Sequence, residues 1–268
     1  SSEIQYASLV NYAAIFEVSP SSLENTSYGD YSYERALKDY AIGDKKRAFR
    51  ALGHVLHLIE DVNVPDHTRD DPHPPIHSVF GSPYESEMAK WSPLNTSIAK
   101  PLFDKKVRPV ILNNVEKYFD EVAFHSNNNF FSEDTIFVSR YYGPLPDFWR
   151  YENINGRLLS VGFIKDSNGE YKLVREKTDE EFSQPRNLAS KKKYTIADSS
   201  ILDTYWARLS KHLIPHGAGL VRLFLTQAQE AEKLYNERKV EEQKLGLFEK
   251  FLSAINPFDN SESSEEQN

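Results

Sequence analysis

The chain has 268 residues, 32 of them basic and 40 acidic for a formal net charge of −8, and 39% are hydrophobic. That length suits one large domain or two small ones, with enough apolar content for a core. The acidic balance argues against a general surface for nucleic acid or anionic membrane, the absence of cysteine excludes disulfides and thiolate metal sites, and no run of about 18 apolar residues offers a membrane-spanning helix.

No basic-then-apolar leader opens the chain, and a start at Ser1 reads as processed or truncated. Residues 3–17 are expected to be helical, with Ile4, Leu9, Ala13 and Phe16 as an apolar stripe. Pro20 and the Ser/Asn/Gly-rich stretch to Asp30 form a loop. A second helix is expected over Tyr31 to Tyr40, ending near Gly43, with Asp44 as the N-cap of a longer third helix. Along that third helix Phe49, Leu52, Leu56 and Ile59 form an apolar stripe, while His54, His57 and Asp61 share another face. Pro65 disfavours helix at Val64, so the chain turns there and carries His67 back toward that face.

Pro83 suits the first turn of a new helix that carries Glu85, Met88 and Trp91. Residues 105–124 read as one helix with Val110, Ile111, Val115, Phe119 and Val122 inside. Residues 127–137 read as an aromatic loop, and 141–153 as irregular. A β-hairpin is expected over about 157–176, turning at Asp166-Ser-Asn-Gly169. The lysines at 191–193 read as a solvated loop. Asp198 begins a long helix that Pro215 is expected to interrupt, resuming through Leu220 and Phe224 into the charged segment 227–245. The weakly amphipathic segment 246–255 suits ordinary packing, a partner helix or a membrane surface, and residues 259–268 are an acidic, serine-rich tail expected to be disordered. With no internal repeat, the chain reads as a mainly α, multi-helix domain over 1–258 with one small β-hairpin insertion.

Five of the eight histidines, His54, His57, His67, His73 and His77, lie within one short stretch. The spacing His57-x3-Asp61-x5-His67 sets two groups one helical turn apart and returns a third after a tight turn, an arrangement that suits a divalent metal. Imidazole and oxygen donors without thiolate favour zinc, with Mn²⁺ or Fe²⁺ as alternatives. A His-x3-Asp pair alone is equally a surface ion pair or a hydrogen-bonded structural pair. Asp66 and Asp70 read either as outer partners of the histidines or as solvated residues. His212 and His216, with Pro215 between them, read as a structural pair, and His125 as a capping or surface residue. Tyr141, Tyr142, Phe148 and Trp149 read as an aromatic loop on the core or as a cleft lining.

The pattern Leu52-Gly53-x3-His57-x3-Asp61-x3-Pro65-x-His67, followed by Gly81-Ser-Pro-Tyr-Glu85, resembles the zinc-dependent phospholipase C and single-strand nuclease fold family, most nearly its uncharacterised bacterial exported members. The resemblance extends to Asn129–Phe137 and Leu213–Leu220 and so spans roughly 45–225. It implies a largely helical domain with up to three zinc ions. His57 and Asp61 would take the family's His-x3-Asp places, with Asp61 bridging and catalytic. His67, His77 and Glu85 would hold another metal, with His73 as the substitute for His77. The family's helical histidine four residues before the acid is replaced here by Gly81, so His77 must reach in from its loop. The family's upstream ligands have no counterpart, because no histidine precedes His54. A missing N-terminal segment, a partner chain, His54 as a substitute ligand or a reduced site of one metal would account for that. The implied activity is hydrolysis of a lipid or nucleotide phosphodiester by metal-activated water, in an extracytoplasmic (periplasmic, cell-surface or secreted) protein. The alternative is a non-catalytic, metal-stabilised binding or structural module of an exported assembly.

Overall fold

The computed structural model describes residues 30–71, 81–90, 99–183 and 193–255. The expected helix at 3–17, the loop bearing His73 and His77, Trp91 and the tail at 259–268 lie outside the described residues. The described chain is mostly helical with one four-stranded antiparallel sheet. It divides into two compact units, Ser1–His54 with Phe224–Asn268, and Val55–Leu223.

In the first unit, helix α1 (Tyr33–Ala41) starts at Ser32, whose hydroxyl accepts the Arg35 N–H. Asp44 likewise caps α2 (Lys45–Asp61), accepting the Arg47 N–H at 3.1 Å. Along α2 the buried line is Ala48, Ala51, Leu52, Val55 and Ile59, whereas Phe49 is 48% exposed. The expected stripe therefore rotates toward the alanines, Ala48 and Ala51, both fully buried. The Phe49 ring instead packs edge-on against Tyr40 and Phe224.

The second unit continues α2 into α3 (Pro65–Thr68), α4 (Pro83–Met88), α5 (Ala99–Asp104) and α6 (Val115–Asn129). A 3₁₀ turn follows at Glu133–Thr135, then strands β1 (Phe148–Ile154), β2 (Arg157–Asp166) and β3 (Gly169–Glu176), helix α7 (Asp179–Ser183), β4 (Tyr194–Thr195) and helix α8 (Ser199–Ile255). The sheet order is β1-β2-β3-β4, and the expected hairpin at 157–176 is its centre. Three expectations give way here. Residues 148–154 are a strand, paired from Phe148↔Phe163 to Ile154↔Arg157, because Asn155 and Gly156 both adopt positive φ and close a tight hairpin turn. The expected helix at 105–124 begins only at Val115: 105–114 is irregular around Pro109, and Asn114 caps α6 by accepting the Lys117 N–H. The aromatic stretch after it is core, with Phe130 and Phe131 each 1% exposed among Leu173, Tyr205 and Leu209.

Pro215 departs from expectation as well, because α8 passes through it without a break. The Pro215 carbonyl accepts the Val110 N–H at 2.9 Å, and the Val110 carbonyl accepts the Tyr118 hydroxyl at 3.0 Å. The strap at Val110 therefore lies directly on the helix. A Cβ on Gly219 would stand 1.8 Å from the Val110 oxygen, so only glycine permits this approach. Gly219→Ala is expected to lower unfolding free energy by about 3 kcal/mol, read as a shifted urea midpoint with an unchanged slope.

Candidate functional site

The second unit brings together four of the residues singled out in the sequence. His57 Nε2 on α2 lies 3.7 Å from Asp61 Oδ2 one turn later. Pro65 starts α3 rather than only ending α2, as an N1 proline does. The turn sets His67 with Nδ1 4.0 Å from Asp61 Oδ1 and Nε2 3.3 Å from Glu85 Oε1. The four side chains thus form a row, His57, Asp61, His67 and Glu85, graded from 68% exposed at His57 to 31% at His67.

Buried polar links fix this row from behind. Asp66 is 2% exposed and accepts the Ser82 hydroxyl at 2.8 Å. The same Ser82 oxygen accepts the Glu85 N–H and caps α4. One serine therefore couples the turn carrying His67 to the helix carrying Glu85. Beside it the hydroxyl of buried Tyr84 is pushed far above its usual value by burial and by the Asp66 charge. Arg69, 1% exposed, donates to Thr135 and to the Asn127 carbonyl, and Asp71 accepts the Asp134 N–H. Ser126 donates to the Asn63 carbonyl at 3.0 Å. The sequence reading passed over Ser82 and Arg69. A serine just before an N1 proline is itself a capping signal and would have found the first.

Among the described residues no three His, Asp or Glu side chains gather around one point that would hold a metal ion. What they present is a pair and its support. Two ligand atoms on a tetrahedral zinc, at about 2.0–2.1 Å each, stand roughly 3.3 Å apart, the separation between His67 Nε2 and Glu85 Oε1. Asp61 lies on the side of the opposite ring nitrogen at 4.0 Å, an ion-pair contact beyond hydrogen-bond distance. These residues fit a divalent cation held at the edge of the row. His77 lies outside the described residues, and exposed His54 belongs to the first unit, stacked on Tyr31 at 4.4 Å between ring centroids.

A second histidine group was not anticipated. His125 lies within α6 rather than at a cap, and its ring stacks on His212 of α8 at 3.9 Å, with His216 tilted against His212 at 4.2 Å. His216 Nδ1 meets the His212 carbonyl at 2.7 Å, and Nε2 meets Glu121 at 3.1 Å. Nε2 of His125 and of His212 is buried without a hydrogen-bond partner. Burial, and then the charges of neighbouring histidines, lower the pKa of His125 to about 4 and of His212 to about 3. Both rings border a cavity of about 660 Å³ with Lys105, Asp203, Arg208 and Lys211. None of the row from His57 to Glu85 lines it. Comparison of the chain with family models, with characterised proteins and with solved structures finds no match.

Proposed function

We propose that this chain is a metal-dependent phosphodiester hydrolase of phospholipase C or nuclease type, acting outside the cytoplasm. The supporting observation is the His67 and Glu85 pair at ligand spacing, with Asp61 on the far nitrogen of His67. In this reading His67 and Glu85 hold the ion and His77 adds a third donor from its loop. Asp61 fixes the ring of His67, and His57 supports Asp61 from the preceding turn. A divalent ion, when bound, supplies Lewis acidity that makes water nucleophilic near neutral pH and offsets phosphodiester charge. The chain's part is to hold the ligands in place: Ser82 and Asp66 keep α3 and α4 in fixed register, and the row remains open enough for a substrate to reach it.

One observation favours a second reading. The described residues offer two donors rather than a closed set, which suits a non-catalytic, metal-stabilised binding or structural module of an exported assembly. Zinc content of the purified protein and its hydrolysis of p-nitrophenyl phosphorylcholine and of a short oligonucleotide test both. At least one zinc per chain, with turnover of either ester abolished in Glu85→Gln, is the expected result. Bound zinc without turnover of any ester selects the second reading, and absence of zinc removes both.

A further inference from the structure

Strand β1 ends the sheet, and no hydrogen bond joins its outer edge to any described residue. Such an edge leaves alternate N–H and C=O groups ready to pair with another strand. Natural edges are blunted by lysine, proline or a bulge. The seven residues Phe-Trp-Arg-Tyr-Glu-Asn-Ile contain neither lysine nor proline, and the sheet's irregularity falls inside β2, at Gly162/Phe163. The strand also exposes two large aromatic side chains, Trp149 at 42% and Tyr151 at 68%.

We infer that β1 is a dimerisation edge, which pairs antiparallel with β1 of a second copy about a two-fold axis at Tyr151 and so continues the sheet across two chains. The sequence of the strand is self-complementary in that register. Arg150 stands opposite Glu152 of the second copy, Phe148 opposite Ile154, Trp149 opposite Asn153, and Tyr151 opposite itself. A two-fold axis through a continuous sheet pairs only residues pointing to the same face, so the register moves in steps that keep this parity. One step either way sets Arg150 against Arg150 or Glu152 against Glu152, and like charges directly opposite are destabilising. Charge therefore selects a single register. Within their own sheet Arg150 pairs with Glu170 and Glu152 with Lys172, both partners on β3 across β2, so pairing across the two-fold axis exchanges or shares these intrachain partners.

The natural chain has no cysteine, so one introduced thiol reports the register. Tyr151→Cys places two thiols opposite each other, about 5 Å apart at Cβ, and mild oxidation is expected to yield a disulfide-linked dimer. Leu158→Cys, equally surface-exposed on β2, is expected to stay monomeric under the same oxidation. By sedimentation at about 100 µM, a concentration suited to a small interface, the natural chain is expected at twice its 30.9 kDa mass. Arg150→Glu is expected to weaken the dimer by at least about 10-fold, and the exchange Arg150→Glu with Glu152→Arg to restore it. A monomeric natural chain, equal crosslinking at positions 151 and 158, or a dimer indifferent to Arg150→Glu would each overturn the inference. The first of these would leave the edge to an extended strand of a different protein.

Discussion

On the proposed function, His67→Ala is expected to abolish zinc binding and to lower phosphodiester turnover by at least 100-fold, about 2.7 kcal/mol, while Asp61→Asn weakens zinc binding by only about 10- to 100-fold. The difference follows from where the two side chains stand. His67 points Nε2 toward Glu85 at ligand spacing, so on that reading its loss takes a donor from the proposed ion. Asp61 lies on Nδ1 of the same ring, 4.0 Å away. On the proposed reading its carboxylate closes on that nitrogen when the ion binds and orients the ring, and an asparagine oxygen retains part of that role. If Asp61 instead bridged two ions, as the family resemblance implies, Asp61→Asn would cost as much as His67→Ala. Competition for zinc against a chelator, measured beside turnover for both variants, separates the two roles. The row is partly exposed, so neither substitution should shift the urea midpoint of the metal-free protein by more than about 0.5 kcal/mol. A large shift would mean that the row supports the fold instead.

What the sequence made legible was local. The cap at Asp44, the helix start at Pro83 and the turn at Asp166–Gly169 each depend on a few neighbouring residues, and each stands where the spacing put it. The approach of His67 to Asp61 is of the same kind, set by a helix and one proline. What the sequence concealed depends on residues far apart. Pro215 looked like a helix break, but the Val110 strap and Gly219 occupy its surroundings and α8 runs on. The β1 strand carries aromatic and charged residues in place of aliphatic alternation. Its Asn155-Gly156 turn was nonetheless readable as a hairpin signal. The His125 and His212 stack has no local signature, because α6 and α8 must first pack. The same holds for Arg69, whose partners Thr135 and Asn127 lie on another element.

Unfolding free energy is expected to fall as pH drops from 6.5 toward 4, and His125→Phe to remove a large part of that fall. Both stacked rings have folded pKa values depressed from 6.5, to about 4 for His125 and about 3 for His212. In the unfolded chain they take up protons near 6.5, while the folded rings remain neutral. The unfolded state therefore binds more protons throughout this interval, and stability declines with pH at up to about 1.4 kcal/mol per unit for each ring. The contribution is complete above 6.5 and is lost progressively until the folded rings titrate. Allowing for the part of each ring that reaches solvent, the loss between pH 6.5 and 4 should be about 2 kcal/mol per ring. Other groups face the stack: Glu121 pairs with His216, Asp166 and Arg208 act on His125, and Lys211 stands at the cavity wall. His125→Phe keeps an aromatic face on His212 and removes both a titrating ring and a neighbouring charge. Urea unfolding of the two proteins at intervals from pH 7 to 4.5 should give a slope shallower by roughly 1 kcal/mol per unit in the variant. Parallel curves would mean that the rings are protonated in the folded protein and that their burial is shallower than the stack requires.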